Sequence, residues 1–174
     1  MSLEIERKFL VRGAGWRAQA AGNDSLRQGY LANTRACSVR VRIAGERGWL
    51  SVKGMTPGRV RPEFEYEIPE ADAAGMLAAL TEGPEIEKVR HRVVIGARVF
   101  EVDEFHGANR GLVIAEIELE SVDAEFERPD WLGDEVTDDA RYYNFRLAAE
   151  PFAEWPDALR RAAIAGRNAP GASL

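Results

Sequence analysis

Period-two alternation of apolar and polar residues is the feature that most restricts the fold of this chain. It recurs in eight stretches and predicts eight strands, since alternate side chains of a strand point to opposite faces. Short glycine-containing segments at 44–48, 54–58 and 95–97 separate several of them, as is typical of antiparallel hairpins. The stretches are 3–11, 26–31, 38–43, 49–53, 62–68, 87–94, 99–105 and 112–119.

The polar face of these predicted strands is unusually rich in charged residues. Glu6 and Lys8 share one face of the first strand while Phe9 lies on the other, and Arg40 and Arg42 alternate with apolar residues in the same way. Solvated charges on an open sheet would explain one or two such strands. They explain poorly why paired charges recur on so many strands, with few Ser, Thr, Asn or Gln residues among them.

A closed barrel with its ionic face inward accounts for this pattern. The predicted fold class is α+β, mainly β: an eight-stranded antiparallel closed barrel with flanking and C-terminal helices. Burying so many charges for stability alone is unfavourable, because desolvation can exceed the attraction within the pairs. A ligand explains them better, with basic residues holding phosphate oxygens and carboxylates holding hard cations such as Mg²⁺ or Mn²⁺. The predicted interior contains the carboxylates Glu4, Glu6, Glu63, Glu65, Asp103, Glu116 and Glu118 and the cations Lys8, Arg27, Arg40, Arg42, Lys53, Lys88 and Arg90.

Two regions break the alternation and are predicted to be helical. Residues 69–80 begin with a proline and carry apolar residues at helical spacing. A C-terminal helical segment is predicted over about 137–165, with acidic residues in its first turn. The chain of 174 residues is therefore expected to form one domain over residues 1–165, followed by a disordered tail at 166–174.

Composition disfavours several classes of protein. The formal net charge of −6 argues against a nucleic-acid partner, which normally meets a basic surface. The single cysteine, Cys37, permits no internal disulfide, and the two histidines, His91 and His106, lack metal-ligand spacing. No glycine-rich phosphate-binding motif follows a predicted strand. No apolar run is long enough to cross a membrane and no signal peptide is visible, so we expect a cytoplasmic protein without a membrane partner.

Short blocks of the sequence resemble a known family. Glu4-Ile5-Glu6-Arg7-Lys8-Phe9 is similar to the ExExK signature that opens the CYTH domain, the triphosphate tunnel metalloenzyme superfamily. Blocks at 26–31, 39–42, 52–54, 63–65, 87–90, 101–105 and 115–118 follow in the family's order, and 135–137 with 141–144 are similar to the short bacterial members. The resemblance covers about residues 3–150. It implies an eight-stranded antiparallel tunnel, which the alternation also predicts.

The resemblance also implies an activity. Members of this family hydrolyse inorganic triphosphate, thiamine triphosphate or nucleoside triphosphates, or convert ATP to cyclic AMP, and all require a divalent cation. We predict a hydrolase that cleaves inorganic triphosphate, its small-molecule partner, into pyrophosphate and phosphate with Mg²⁺ or Mn²⁺, two ions being expected. The alternatives are a class IV type adenylate cyclase, a thiamine triphosphatase, a non-catalytic module that binds polyphosphate or nucleotides and, less favoured, an RNA triphosphatase. A monomer or a homodimer is expected.

Roles for individual residues follow from phosphoryl-transfer chemistry, in which positioning and charge stabilisation do most of the work. Lys8, Tyr30 and Glu65 are the predicted catalytic residues, which would act on the leaving group or orient the attacking water. The alternative for Lys8 is a structural ion pair that holds the neighbouring carboxylates together. The predicted phosphate ligands are Arg27, Arg40, Arg42, Lys53, Lys88 and Arg90, and the predicted metal ligands are Glu4, Glu6, Glu63, Asp103, Glu116 and Glu118.

Overall fold

In a computed structural model of the chain, residues 2–54 and 60–169 are described, with side chains described at 5–54 and 62–169. These residues form nine strands and three α-helices, with short 3₁₀ turns at Gly15–Gln19, Gly107–Asn109, Ala140–Tyr142 and Phe152–Glu154. The strands are β1 (Ser2–Val11), β2 (Ala20–Asn33), β3 (Cys37–Ala44), β4 (Arg47–Gly54), β5 (Val60–Ile68), β6 (Ile86–Ile95), β7 (Arg98–Phe105), β8 (Val113–Glu118) and β9 (Leu132–Glu135); the helices are α1 (Glu70–Leu80), α2 (Asn144–Ala149) and α3 (Asp157–Ile164).

The strands form one antiparallel sheet in the order β5-β4-β3-β2-β6-β7-β8-β1-β9, and β1 also pairs with β5. That additional pairing runs from Ser2 opposite Glu63 to Ile5 opposite Val60. The prediction of a mainly β, antiparallel fold with flanking helices is confirmed. The predicted closed barrel needs correction in one respect, because the end strand β5 reaches β1 only along this short contact, and the other end strand, β9, is not part of it.

Two strands differ from the prediction because tertiary pairing overrides a weak local pattern. β2 begins well before residue 26, in a polar stretch where Ala20 pairs with Val93 and Asp24 with Arg90 of β6. β9 was not predicted, since four residues that include a glycine show no alternation. It forms because its backbone pairs with β1, with Glu135 opposite Phe9.

Apolar side chains on the outer face of the sheet are covered by peripheral segments. On β3, Val41 and Ile43 contact Ala73 and Leu77, which lie one turn apart on α1. The predicted helix at 69–80 is thereby confirmed, and the acidic residues in its first turn stabilise it by interacting favourably with the helix dipole. Glycine is required at Gly48 of β4, because a Cβ atom there would lie 2.8 Å from the Cβ of Ala73.

The C-terminal segment predicted to be helical is broken into short pieces. Pro151 and Pro156 precede the turn at Phe152–Glu154 and α3, respectively, and each lacks the N–H that a continuous helix needs. Leu147 of α2 and Phe152 pack in the same buried cluster as Leu10 of β1. This segment therefore covers one part of the sheet as short helices and turns and not as one continuous helix.

The tail predicted to be disordered is partly held in place. The Asp134 N–H donates to the Gly166 carbonyl over 2.9 Å, and the Asn168 N–H donates to Asp134 Oδ2 over 3.0 Å. Residues 170–174 of that prediction lie outside the described residues. Within the described part of the chain, every helix is too short or too polar to cross a membrane.

Candidate active site

The inner face of the curved sheet encloses a cavity of about 450 Å³. Alternation along each strand turns the charged residues toward it, while their neighbours in sequence pack outward. Two groups of ion pairs cover its walls, one on β1, β6, β7 and β8 and the other on β3, β4 and β5. The lining residues are Glu6, Lys8, Tyr30, Ser38, Arg40, Arg42, Lys53, Glu63, Glu65, Arg90, Ala97, Arg98, Val99, Glu101, Glu116, Glu118, Tyr143, Asn144 and Phe145.

The first group is centred on Lys8 and Arg90. Lys8 Nζ donates to Glu6 Oε2 over 2.9 Å and also to Glu116, which lies opposite it in the β1–β8 register. Arg90 Nη2 donates to Glu116 Oε2 over 2.7 Å, and a further Arg90 nitrogen contacts Glu101. Glu116 therefore lies between two cations and links them.

Asp103 and Lys88 form a buried layer behind this wall. Asp103 accepts hydrogen bonds from Arg90 Nε over 2.7 Å and from Lys88 Nζ over 2.5 Å. Lys88 Nζ also lies 3.4 Å from Oδ1 of Asn144, which lines the cavity. Neither Asp103 nor Lys88 is among the residues that line the cavity, and their predicted contacts to metal and phosphate stay predictions. Their side chains instead fix Arg90 and Asn144, which do line it.

The second group surrounds Glu65. Arg42 Nη2 lies 3.2 Å from Glu65 Oε1, and the Ser51 hydroxyl donates to Glu65 Oε2 over 2.6 Å. Arg40 Nη2 lies 3.6 Å from Glu65 and donates to Ser51 Oγ over 3.3 Å. Lys53 Nζ lies 3.4 Å from Glu63 Oε1, its opposite residue on β5. Three cations thus converge on two carboxylates.

Burial and neighbouring charges shift the pKa values of both groups. Burial disfavours the charged form of Lys8, but Glu116 and Glu6 outweigh it and raise the pKa of Lys8. Burial acts on Glu116 in the opposite sense, yet Lys8 and Arg90 hold the pKa of Glu116 well below its ordinary value. For Lys88, burial is the largest effect and lowers the pKa despite Asp103. Burial and the nearby Arg40 also lower the pKa of Arg42.

The wall formed by β2 and β3 contains hydrogen-bond donors that have no partner among the described residues. They are Nε2 of Gln28, Nε of Arg40 and Nε of Arg42, each buried. Gln28 lies opposite Arg42 in the register. Because a buried donor without an acceptor is unfavourable, this wall is suited to an anionic ligand that supplies oxygen atoms.

The carboxylates offer suitable donors for a hard divalent cation. Glu6 and Glu118 lie opposite each other on β1 and β8, and both line the cavity. Glu118 makes no ion pair to any side chain in the described part of the structure, so its oxygens are available. No three acidic, histidine or cysteine side chains there are already gathered as a metal site. The carboxylate oxygens therefore suit such a cation by their chemistry. Lys8 neutralises part of their charge, because it forms ion pairs with Glu6 and Glu116.

Two further predicted residues take different positions. Arg27 lies on the outer face of β2, where its side chain is 55% exposed and pairs with Glu85 over 2.9 Å. The predicted place of Arg27 in the tunnel was wrong, because Leu26, Gln28 and Tyr30 occupy the inner face of this strand. Glu4 lies in β1 opposite Arg61, and its side chain is outside the described residues.

Several lining residues were not predicted. Glu101 follows the same alternation as Asp103, and Ser38 the same alternation as Arg40, so the period-two pattern could have found both. Tyr143, Asn144 and Phe145 lie at the start of α2, a helix of six residues that is too short to give a clear periodic signal. Phe145 packs edge-on against Tyr30, with ring centroids 6.4 Å apart, and so joins this segment to the cavity wall.

Comparison with known proteins agrees with this architecture. A family model described as the CYTH domain matches residues 2–145. An inorganic triphosphatase of Acetivibrio thermocellus is 47% identical over 152 residues, covering 87% of this chain and 97% of that protein. One of Nitrosomonas europaea is 38% identical over 149 residues, covering 83% and 96%.

The chain belongs to the CYTH domain family. A crystal structure of an inorganic triphosphatase aligns with it at a TM-score of 0.61 and 36% identity, covering 85% of this chain and 95% of that one. A conserved hypothetical protein from Pyrococcus furiosus, 18% identical, aligns at a TM-score of 0.55 over 69% of this chain and 80% of its own, and so shares the fold. The family resemblance seen in the sequence is confirmed, and the family implies a divalent metal.

Proposed function

We propose that this protein is an inorganic triphosphatase, which hydrolyses inorganic triphosphate to pyrophosphate and phosphate with a divalent cation. The observation that carries the proposal is the cavity of about 450 Å³ whose walls carry both carboxylates and basic side chains. Such walls can bind a compact polyanion through their basic side chains and a cation through their carboxylates. The two relatives that are inorganic triphosphatases support this substrate.

The phosphate ligands of this proposal are Arg40, Arg42, Lys53 and Arg90, all in the cavity wall. Arg40 and Arg42 lie close enough for Arg40 to depress the pKa of Arg42, so an anion between them would relieve their repulsion. Phosphate oxygens would also supply the acceptors that buried guanidinium Nε atoms on this wall lack. Lys88 supports the clamp from behind, through Asp103 and Asn144.

The proposed metal ligands are the carboxylates of Glu6 and Glu118, with Glu4 from the same strand as Glu6. Glu63 and Glu116 are proposed for a second ion, and both Mg²⁺ and Mn²⁺ suit oxygen ligands of this kind. When bound, a divalent cation would neutralise phosphate charge and lower the energy of the transition state. In the proposal Asp103 orients Arg90, because its two oxygens are engaged by Arg90 and Lys88.

The proposed catalytic residues are Lys8, Glu65 and Tyr30. Since its pKa is raised, Lys8 is protonated near neutral pH and can donate to the leaving phosphate, whereas it cannot accept a proton. Glu65 is held by Ser51 and Arg42 and is proposed to orient the attacking water. Tyr30 lines the same cavity and is proposed to contact that water or the leaving group.

Product analysis tests the proposal. Inorganic triphosphate, thiamine triphosphate and ATP would each be incubated with the protein and Mg²⁺ or Mn²⁺, and phosphate, pyrophosphate and cyclic AMP measured by ion chromatography. Glu6→Gln removes a proposed metal ligand, and Glu85→Gln is its matched control on the outer surface beside Arg27. Thermal unfolding of each variant shows whether it is folded.

The proposal predicts fast phosphate release from inorganic triphosphate that chelation abolishes. Glu6→Gln should remain folded and release phosphate at least about 100-fold more slowly, because loss of a metal ligand removes charge stabilisation of the transition state. Glu85→Gln should retain the rate. Cyclic AMP and pyrophosphate from ATP as the main products would instead identify a cyclase, and tight triphosphate binding without turnover would identify a binding module.

A further inference from the structure

One edge of β1 is only partly covered by other strands. Along this edge β5 pairs with Ser2 to Ile5, and β9 pairs with Phe9 and Val11. Among the described strands, neither β5 nor β9 pairs with the stretch from Glu6 to Lys8. The break lies where two proposed functional side chains point into the cavity. β8 pairs with this stretch on its other edge, so only the backbone groups on the uncovered edge need partners other than strands.

Residues just after β9 occupy this break. The Val136 N–H donates to the Lys8 carbonyl over 2.8 Å. The Lys8 N–H donates to the hydroxyl oxygen of Thr137 over 3.0 Å. A side-chain oxygen of Thr137 therefore takes the place of the backbone acceptor that a neighbouring strand would offer to Lys8.

Thr137 is itself fixed from two sides. Its hydroxyl donates to Glu135 Oε1 over 2.6 Å, and Glu135 accepts from Arg7 Nε over 2.9 Å. The Thr137 carbonyl accepts from the Tyr143 hydroxyl over 2.9 Å, and Tyr143 lines the cavity. Since Thr137 is buried, these bonds are shielded from water and hold a defined geometry.

We propose that Thr137 is a positioning residue for Lys8, and that it ties the C-terminal part of the cavity wall to the strand that carries Lys8. The inference rests on the proposed function, in which Lys8 donates to the leaving phosphate. The hydroxyl fixes the Lys8 backbone, and this places Nζ between Glu6 and Glu116. Valine has nearly the same shape as threonine but offers no hydrogen bond to the Lys8 N–H.

Kinetics of three variants test the role. Thr137→Val removes the hydroxyl and Thr137→Ser keeps it. Thr81→Val is a matched control, because the Thr81 hydroxyl donates to the Leu77 carbonyl on the outer side of the sheet, away from Lys8. Thr137→Val should lower kcat for inorganic triphosphate about 10- to 100-fold with KM changed less than about threefold, since small misplacements of a reacting group have effects of this size. Thr137→Ser should restore most of the rate, and Thr81→Val should not change it.

A second measurement does not depend on turnover. Hydrogen exchange of the Lys8 amide should be slow in the wild type and much faster in Thr137→Val, while the Thr81→Val variant keeps wild-type exchange at Lys8. If the wild type releases no phosphate, the proposed function fails and exchange alone decides the role of Thr137. If Thr137→Val does not fold, the role of Thr137 is decided by kcat of Thr137→Ser and by the protection of the Lys8 amide from exchange in the wild type. A folded Thr137→Val protein with unchanged kcat, an equal loss in Thr137→Ser, or an unprotected Lys8 amide would overturn the inference.

Discussion

Charged side chains form a continuous chain of contacts from Lys8 through Glu116, Arg90 and Asp103 to Lys88. Each interior member is shared between two partners of opposite charge. Removing one member would leave a buried charge without compensation, which is more destabilising than the loss of a surface pair. This series of ion pairs therefore fixes Arg90 and Lys8 in the cavity wall before any ligand is present.

Arg42→Ala provides a test of the phosphate clamp. The guanidinium faces the cavity and contacts Glu65. Losing a charge-assisted bond of about 1.5–3 kcal/mol should raise KM for inorganic triphosphate by about 10- to 150-fold. Arg27→Ala removes an arginine of the outer face and should leave both KM and kcat within about twofold. Steady-state kinetics measure both, and equal effects of the two substitutions would remove Arg42 from the clamp.

At the scale of the element, the sequence predicts most strands but leaves the orientation of β2 open. Both of its faces mix apolar and polar residues, so alternation alone does not say whether Arg27 or Gln28 points inward. Packing with α1 decides it, because Gly29 lies against Leu77 and Thr81, and a Cβ atom there would lie 2.4 Å from Thr81 Cγ2. Asn144 could not be predicted either, since it begins a helix of only six residues, which is too short for its period to show which way the side chain points.

Close backbone packing of β9 makes Gly133 sensitive to substitution. A Cβ atom there would lie 2.5 Å from the Gly166 carbonyl oxygen and 2.7 Å from that of Leu10. Gly133→Ala should therefore destabilise the fold by about 1–3 kcal/mol. Gly75→Ala is the matched control, because Gly75 lies in α1 with nothing within 4 Å of its Cβ position, and it should stabilise by about 0.5–1 kcal/mol. Urea unfolding checks both, and the same sign for the two would be inconsistent with this packing.

At the scale of the whole molecule, ionised side chains line the cavity inside the sheet, while apolar side chains pack on its outer face and at one end of its interior. Stability should therefore depend strongly on acid pH. Opposing burial, Arg90 and Lys88 lower the pKa of Asp103, and Lys8 and Arg90 lower that of Glu116. Groups with a depressed folded pKa contribute fully above their unfolded values, about 3.9 for Asp and 4.3 for Glu, and lose the contribution as pH falls through the folded pKa.

Urea unfolding between about pH 3 and pH 7 would measure this dependence. We expect the free energy of unfolding to fall progressively below about pH 4.5 in the wild type. Glu116→Gln should flatten that decline and lower stability at neutral pH, because Lys8 and Arg90 lose a buried counter-charge. Glu67→Gln changes an exposed partner of Arg47 and should leave the pH dependence nearly unchanged. A wild-type stability that is constant across this range would show that the buried pairs do not drive acid unfolding.

The interior is neutralised by its own ion pairs before a ligand enters. A triphosphate that entered alone would draw Arg40, Arg42 and Lys53 away from Glu63 and Glu65, leaving these carboxylates without counter-charge. A divalent cation that entered alone would take Glu6 from Lys8. When both enter, each set of side chains exchanges one partner for another. In the proposed function their binding would therefore be thermodynamically linked, and the factor by which metal tightens triphosphate binding would equal the factor by which triphosphate tightens metal binding.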